Sequence, residues 1–271
     1  MILRRVIAHF KKQEWTAIAL DFLIVVFGVF IGIQVANWND SRADEQRGEE
    51  FVARLTVALE RDLETRTALT AYYDAVNDSA LRAIASLDAP PAEAQSLVVN
   101  VYRATELAYD PQTRATWDEI VAAGDVGLLP RAAVEQGLNI YYGVDVAEQT
   151  RQEIANSRLR AHVRSIIPHR VQAAIRAGCS DVTAPDGRVL GFTPDCTLDI
   201  ARSEIDATAA LLRADPDLLP ALTLHVSALN SARNNLRGDI YSIAHSIELL
   251  QAGDAQVQSA DEMLRTEKDT E

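Results

Sequence analysis

TAIALDFLIVVFGVFIGIQVA, residues 16–36, holds one charged side chain, Asp21, among its 21 residues. As an α-helix this stretch is about 31 Å long, which matches a bilayer hydrocarbon core of about 30 Å. Trp15 and Trp38 flank it, where indole rings favour the headgroup layer. The stretch therefore predicts a transmembrane helix over residues 16–38 with two interfacial anchors.

A cleavable signal peptide is the alternative interpretation, because Arg4 and Arg5 form a basic start ahead of the apolar core. Signal peptides, however, have an apolar region of about 7–15 residues that ends in a small-x-small cleavage site. This stretch is longer and ends in polar and aromatic residues. We therefore expect a retained anchor.

The charges on the two sides of the stretch differ. Four basic residues precede it, whereas acidic residues dominate positions 39–50. The positive-inside rule then predicts a cytoplasmic stub, residues 1–15, and an extracytoplasmic C-terminal part.

One face of the predicted helix carries Asp21, Gly28, Gly32 and Ala36, which follow one another within about 80° at about 100° per residue. Gly-x-x-x-Gly pairs let helices approach closely. A carboxylate inside a membrane is a functional hypothesis by default, although Asp21 could instead extend to the cytoplasmic boundary. We predict that this face packs on a second copy of the chain or on another membrane protein.

Residues 39–252 show the patterns of an all-α domain. Apolar residues recur at spacings of three and four from Phe51 to Leu87, and Pro90-Pro91 ends that pattern. Further helices are predicted over 92–109, 130–177 with a kink at Pro168, 197–214 and 218–250. Short Pro/Gly loops between helices predict an antiparallel bundle. The polar residues 253–271 predict a disordered tail.

The two cysteines, Cys179 and Cys196, bracket a segment rich in turn-forming residues. An even count that closes one short loop is typical of a disulfide in an oxidising compartment. Two unrelated buried thiols are the alternative. Within the loop, residues 188–193 predict a small hairpin.

The net charge of −13 argues against nucleic acid as a partner. Beyond residue 38 there are 22 basic residues against 37 acidic ones, and no cluster of lysine and arginine is visible in the sequence. Nucleic-acid binding needs a cationic track that releases counterions. The expected partners are the lipid bilayer and a membrane protein or a second copy.

Two segments carry a resemblance to a known family. The first has Asp21, Gly28, Gln34 and then Asn37-Trp38-Asn39; the second is TWDEIVAAGDVGLL, residues 116–129, followed by Tyr141-Tyr142. Together they resemble the signature of an uncharacterised family of bacterial single-pass membrane proteins. This chain has Asp21 where Glu is usual and Ala123-Gly124 where Ser-Gly or Thr-Gly is common. The resemblance implies a bacterial inner-membrane anchor with a periplasmic helical domain; it supplies no activity, because the function of the family is unknown.

The second motif predicts a local structure of its own. Thr116 and Glu119 have the spacing of a capping box, and Gly124 suits a left-handed helix end. Trp117 lies between them. Asp118 and Glu119 could be read as catalytic carboxylates, but helix capping and solvent exposure explain them better.

Catalytic and metal-binding patterns are not recognisable in the sequence. His245 and Glu248 have the i, i+3 spacing of di-metal bundles, but such a site needs a second pair and two more glutamates. We therefore predict no metal, no cofactor and no enzymatic site. A membrane-anchored interaction or scaffold protein is the favoured function; a ligand or stress sensor and an enzyme with an unrecognised site are the alternatives.

Overall fold

A computed structural model describes residues 15–90 and 93–268, with side chains for residue 20 and for residues 22–90 and 93–253. The chain divides into two compact units, residues 1–51 and 52–271. Nearly all of the regular structure is helical, with a single two-stranded sheet in the described residues. The predicted all-α fold is therefore confirmed.

The helices and strands follow one another along the chain with short connections. Their bounds are α1 Trp15–Ser86, α2 Ala94–Arg103, α3 Ala115–Ala123, α4 Arg131–Ala133, α5 Asn139–Gly143, α6 Val146–Ala155, α7 Arg158–Ile166, α8 His169–Gly178, β1 Asp181–Thr183, β2 Val189–Phe192, α9 Arg202–Ala214 and α10 Leu218–Lys268. A 3₁₀ turn, Asp125–Leu128, and a π-helical turn, Val134–Leu138, precede α4 and α5 respectively.

The side chains of residues 22–38 in α1 are mostly apolar, and all of them are exposed. An 18-residue window there has a mean hydropathy of 1.8 and no buried residue. This is the one helix of the described residues that is long and apolar enough to cross a membrane. The prediction of a long apolar helix near the N-terminus is confirmed.

The second unit has an ordinary hydrophobic core. Residues 52–86 of α1 bury one stripe, including Leu55, Leu69, Tyr73 and Val76. Helix α2 packs against α9, and α10 packs along α4, α5, α6 and α7. The amphipathic pattern that predicted this part of α1 therefore marks the face that meets the core.

The prediction of one helix over residues 130–177 with a kink at Pro168 is wrong, because the range contains several separate helices. The helix is broken before Val146 and again before Arg158, at two side chains that cap the next helix. Asp145 accepts a hydrogen bond from the Glu148 N–H at 3.0 Å, and Ser157 accepts one from the Arg160 N–H at 3.2 Å. Such caps satisfy the free N–H groups of a new helix start. The break at Pro168 is confirmed.

The C-terminal helix α10 extends further than predicted. At Gly253 the backbone leaves the helical region, with φ of 64°, but helical backbone resumes and continues to Lys268. The boundary of the bundle at residue 252 thus coincides with a real interruption. The segment beyond it has helical backbone where we predicted a disordered tail.

Cys179 and Cys196 form a disulfide with a Cα–Cα distance of 5.0 Å, as predicted. Between them, β1 and β2 form an antiparallel hairpin. Gly178 precedes the first cysteine, and a Cβ atom added there would lie 2.3 Å from the Thr197 carbonyl oxygen. The two arms of the loop therefore approach each other closely where Gly178 has no side chain.

Candidate functional site

The segment that follows α2 converges on a buried carboxylate of α1. Asp62 is 1% exposed and accepts hydrogen bonds from the Thr113 N–H (2.9 Å), the Thr113 hydroxyl (2.6 Å) and the Tyr141 hydroxyl (2.6 Å). Burial and the hydrogen bond to Asp62 both raise the pKa of Tyr141, so its hydroxyl stays a proton donor. This carboxylate is saturated with donors and ties two chain segments to α1.

One turn further along α1, Arg66 is completely buried. Its Nε donates to Asp239 at 2.8 Å and its Nη1 donates to the Asp110 carbonyl at 2.7 Å. Burial raises the pKa of Asp239 to about 6 against the opposing effect of Arg66, which still leaves the carboxylate ionised at neutral pH. The pair links α1 to α10 inside the bundle.

The second sequence motif packs against Tyr142, the residue next to Tyr141. The Trp117 ring is stacked on Tyr142 with centroids 5.1 Å apart, and Arg114 lies 5.6 Å from that ring on its way to the Tyr142 carbonyl. Gly124 has a φ of 78° and ends α3, as predicted. We infer that these motif residues stabilise the fold.

The capping box predicted for this motif is wrong. Helix α3 begins at Ala115, so Thr116 lies inside its first turn, and the N-cap residue is Arg114. Glu119 instead forms an ion pair with Arg54, and Asp118 pairs with Arg114 at 3.2 Å. Both carboxylates are therefore engaged at the surface.

The predicted membrane face is open. Cβ atoms added to Gly28 or Gly32 would meet nothing within 4 Å in the described part of the chain, and Gln34, Ala36 and Asn37 are exposed. Trp38 is 63% exposed, with Arg42 lying 5.7 Å over its ring. The side chains of Trp15 and Asp21 lie outside the described residues.

The part of the chain that the structure describes contains no group of three His, Cys, Asp or Glu side chains able to hold a metal. His245 lies 3.8 Å from Glu248, at the predicted i, i+3 spacing. His225 is buried, and its Nε2 pairs with the Ala104 carbonyl at 2.8 Å.

A cavity of about 580 Å³ between α7 and α10 tests the enzyme alternative. Its lining includes His162, whose Nε2 lies 2.5 Å from Asp215, and Ser165. The Ser165 hydroxyl, however, donates to the His162 carbonyl oxygen at 2.6 Å and not to the ring. A nucleophile activated by a base requires a bond between hydroxyl and imidazole, so these residues do not form a catalytic triad here.

A second cavity, of about 400 Å³, has an unusual charge for this acidic chain. We name it the arginine cavity; its ionisable lining residues are Arg103, Arg160, Arg164, Arg176, Glu106 and Asp181. Arg164 donates to Glu106 at 2.7 Å, and its guanidinium lies 3.5 Å from the centroid of the Tyr102 ring. Cys179 lines the cavity as well, so one of the two cysteines of the disulfide contributes to its wall.

Sequence reasoning missed the arginine cavity because its cations come from α2, α7 and α8, far apart in the chain. Arg160 and Arg164 are four residues apart and therefore share a helix face, which was the only available signal. Comparisons of the chain with protein-family models, with curated proteins and with solved structures found no match.

Proposed function

We propose that this chain is a single-pass protein of a bacterial inner membrane whose helical domain acts outside the cytoplasm as an interaction or scaffold module. Its N-terminal stub faces the cytoplasm, and its membrane helix meets a second copy or another membrane protein. The observation that carries the proposal is the apolar, wholly exposed stretch of α1, because water-exposed apolar surface of that extent needs a lipid or protein environment.

The direction of insertion is supported by two independent features. The first is the concentration of basic residues before the apolar stretch and of acidic residues after it. The second is the disulfide of the helical domain, since disulfides persist in oxidising compartments outside the cytoplasm. The resemblance of residues 21–39 to the bacterial membrane family agrees with both.

The interaction role is supported by the open glycine face. Gly28 and Gly32 lie about 40° apart on the helix and expose backbone that a neighbouring helix could approach. In the described domain, the Ser165 hydroxyl is bonded to the His162 carbonyl and not to its ring, and no group of three metal-ligating side chains occurs. A tethered module that binds other proteins fits this combination better than an enzyme does.

Protease treatment of spheroplasts tests the topology. We expect the helical domain to be digested from outside in intact spheroplasts, with a non-reducing gel showing the disulfide in cells whose free thiols were blocked before lysis. Digestion only after lysis, or recovery of the chain in the soluble fraction after an alkaline wash, would contradict the proposal.

Crosslinking tests the membrane interface. With Ser41→Cys as an exposed crosslinking site beyond the apolar stretch, Gly28→Leu with Gly32→Leu should lower the crosslinked fraction roughly tenfold. The matched control is Val26→Leu with Ile33→Leu, which changes side chains on another face. Because the single chain leaves open space at both glycines, the leucines fit the monomer. Equal crosslinking in the two variants would rule out this face.

A further inference from the structure

The charges of the arginine cavity do not balance. Four guanidinium groups face two carboxylates, Glu106 and Asp181, which leaves two positive charges in excess in a chain whose net charge is −13. Arg164 is the cation of this set with a carboxylate hydrogen-bond partner. The remaining cations are bonded to neutral oxygen atoms.

The neutral partners are three backbone carbonyl groups and one phenol hydroxyl group. Arg103 donates to the carbonyls of Cys179 (3.2 Å) and Thr193 (2.7 Å), Arg160 donates to the Thr105 carbonyl, and Arg176 donates to the Tyr102 hydroxyl at 3.1 Å. The Nε of Arg103 is buried without a hydrogen-bond partner in the described part of the chain. Positive charge therefore remains uncompensated in the cavity.

Desolvation increases the cost of holding these cations together. Burial and the neighbouring Arg82 lower the pKa of Arg103, and burial and Arg164 lower the pKa of Arg160. An anion in the cavity would relieve both effects, since opposite charge stabilises a partly buried cation.

A structural role explains part of the cluster. Arg103 holds the hairpin, and Arg160 satisfies a carbonyl near the C-terminal end of α2, where helices leave carbonyls unpaired. That explanation does not cover Arg176, which is exposed and bonds only a phenol among the described residues. Nor does it explain why these side chains surround an open cavity of about 400 Å³.

We propose that the arginine cavity binds a small ligand that carries two negative charges on oxygen atoms, as a phosphate group or a pair of carboxylates does. The excess of two positive charges sets the charge of the ligand. Guanidinium groups favour such ligands because their N–H groups form paired hydrogen bonds to carboxylate or phosphate oxygens. The volume lies within the range of about 300–1,000 Å³ for small-molecule sites. This ligand site is additional to the interaction role and independent of membrane topology.

Thermal unfolding and calorimetric titration of the full chain in uncharged detergent test the proposal. The probes are inorganic phosphate, sulfate and succinate, with sodium chloride at matched ionic strength. We expect at least one dianion to raise the unfolding temperature saturably, and chloride to have no such effect. The tetrahedral anions and the dicarboxylate distinguish the two kinds of ligand.

Two arginine substitutions locate the binding. Arg176→Gln should weaken dianion binding about tenfold. Arg170→Gln, on the same helix α8 but outside the cavity and 77% exposed, should leave it within about twofold. Equal affinities in the two variants, or stabilisation by chloride as large as that by the dianions, would overturn the proposal. A failed topology experiment would leave this result unaffected, because the titration uses purified protein.

Discussion

The two polar centres of the helical domain are built in opposite ways. Around Asp62, one buried anion receives three donated hydrogen bonds and has little capacity left for a ligand. In the arginine cavity, four cations face two anions, so positive charge is left uncompensated among the described residues. Saturated polar networks hold a fold in one arrangement, whereas unsaturated ones retain interaction energy for something that arrives later.

Removing the saturated anion should have the largest effect. Asp62→Ala leaves the donors of Thr113 and Tyr141 without their buried acceptor, so we expect the free energy of unfolding to fall by about 3–5 kcal/mol. Denaturant titration followed by tryptophan fluorescence measures this loss. The matched control is Asp74→Ala on the same helix, where a 39% exposed carboxylate pairs with Arg233 and Arg237. There the loss should be about 0–1 kcal/mol, and equal losses would show that Asp62 is not a special anchor.

Opening the disulfide should come next, because it closes a loop with a sequence separation of 17 and because one of its cysteines, Cys179, lines the arginine cavity. Cys179→Ser with Cys196→Ser should lower the free energy of unfolding by about 3 kcal/mol. The same substitution should weaken dianion binding, since Arg103 is anchored to the Cys179 carbonyl. Wild-type protein reduced with dithiothreitol provides the control and should match the variant. Unchanged dianion affinity in both would separate the cavity from the disulfide.

The pH dependence of anion affinity should be a smaller effect, and its direction can be predicted. Burial, with Glu106 nearby, raises the pKa of Asp181, opposed by its hydrogen bond to Tyr72 and by Arg103. Asp181 therefore loses its negative charge at a higher pH than an ordinary aspartate, and the cavity becomes more positive as pH falls toward that pKa. We expect sulfate, which stays dianionic, to bind more tightly at about pH 5 than at about pH 7.

Asp181→Asn separates this effect from general protonation of the surface. The variant should bind sulfate several-fold more tightly than wild type at neutral pH and should depend less on pH, because the asparagine carries no charge to lose. Calorimetric titration at both pH values measures the difference. An unchanged pH dependence in the variant would assign the effect to other groups.

The smallest predicted change in the free energy of unfolding distinguishes the arginine cavity from the Asp62 centre most clearly. Arg176→Gln, which should impair anion binding, should alter the free energy of unfolding by no more than about 0.5 kcal/mol, because its side chain is exposed. Arg170→Gln gives the baseline for removing a charge from α8. A large loss of stability in Arg176→Gln alone would instead make the arginine a structural element, like Asp62.

Local sequence patterns predicted helices, turns and the cysteine loop. They did not predict contacts between side chains that are far apart in the sequence. The apolar stretch, the stop at Pro90, the turn at Gly124 and the cysteine loop each depend on residues close in sequence, so physical rules for helices and turns were sufficient. The caps at Asp145 and Ser157 were also local, but they lay inside an amphipathic pattern that predicted one continuous helix. The capping box at Thr116 failed because the helix begins one residue earlier, and Glu119 pairs instead with Arg54, 65 positions away.

The arginine cavity was beyond such rules for the same reason. Arg103 and Arg176 are 73 positions apart, and only the packing of α2 against α8 brings them to one cavity. The net charge of the whole chain is negative, so the composition does not reveal a cavity lined by more positive than negative side chains.

We expect formation of the disulfide between Cys179 and Cys196 to depend on Gly178 as well as on the two cysteines. Since a methyl group at this position would collide with the Thr197 carbonyl, replacing the glycine with alanine would force the adjoining residues, Cys179 and Cys196, apart. We therefore expect Gly178→Ala, which removes no sulfur atom, to lower the oxidised fraction of the protein, and alkylation of free thiols in the variant measures this.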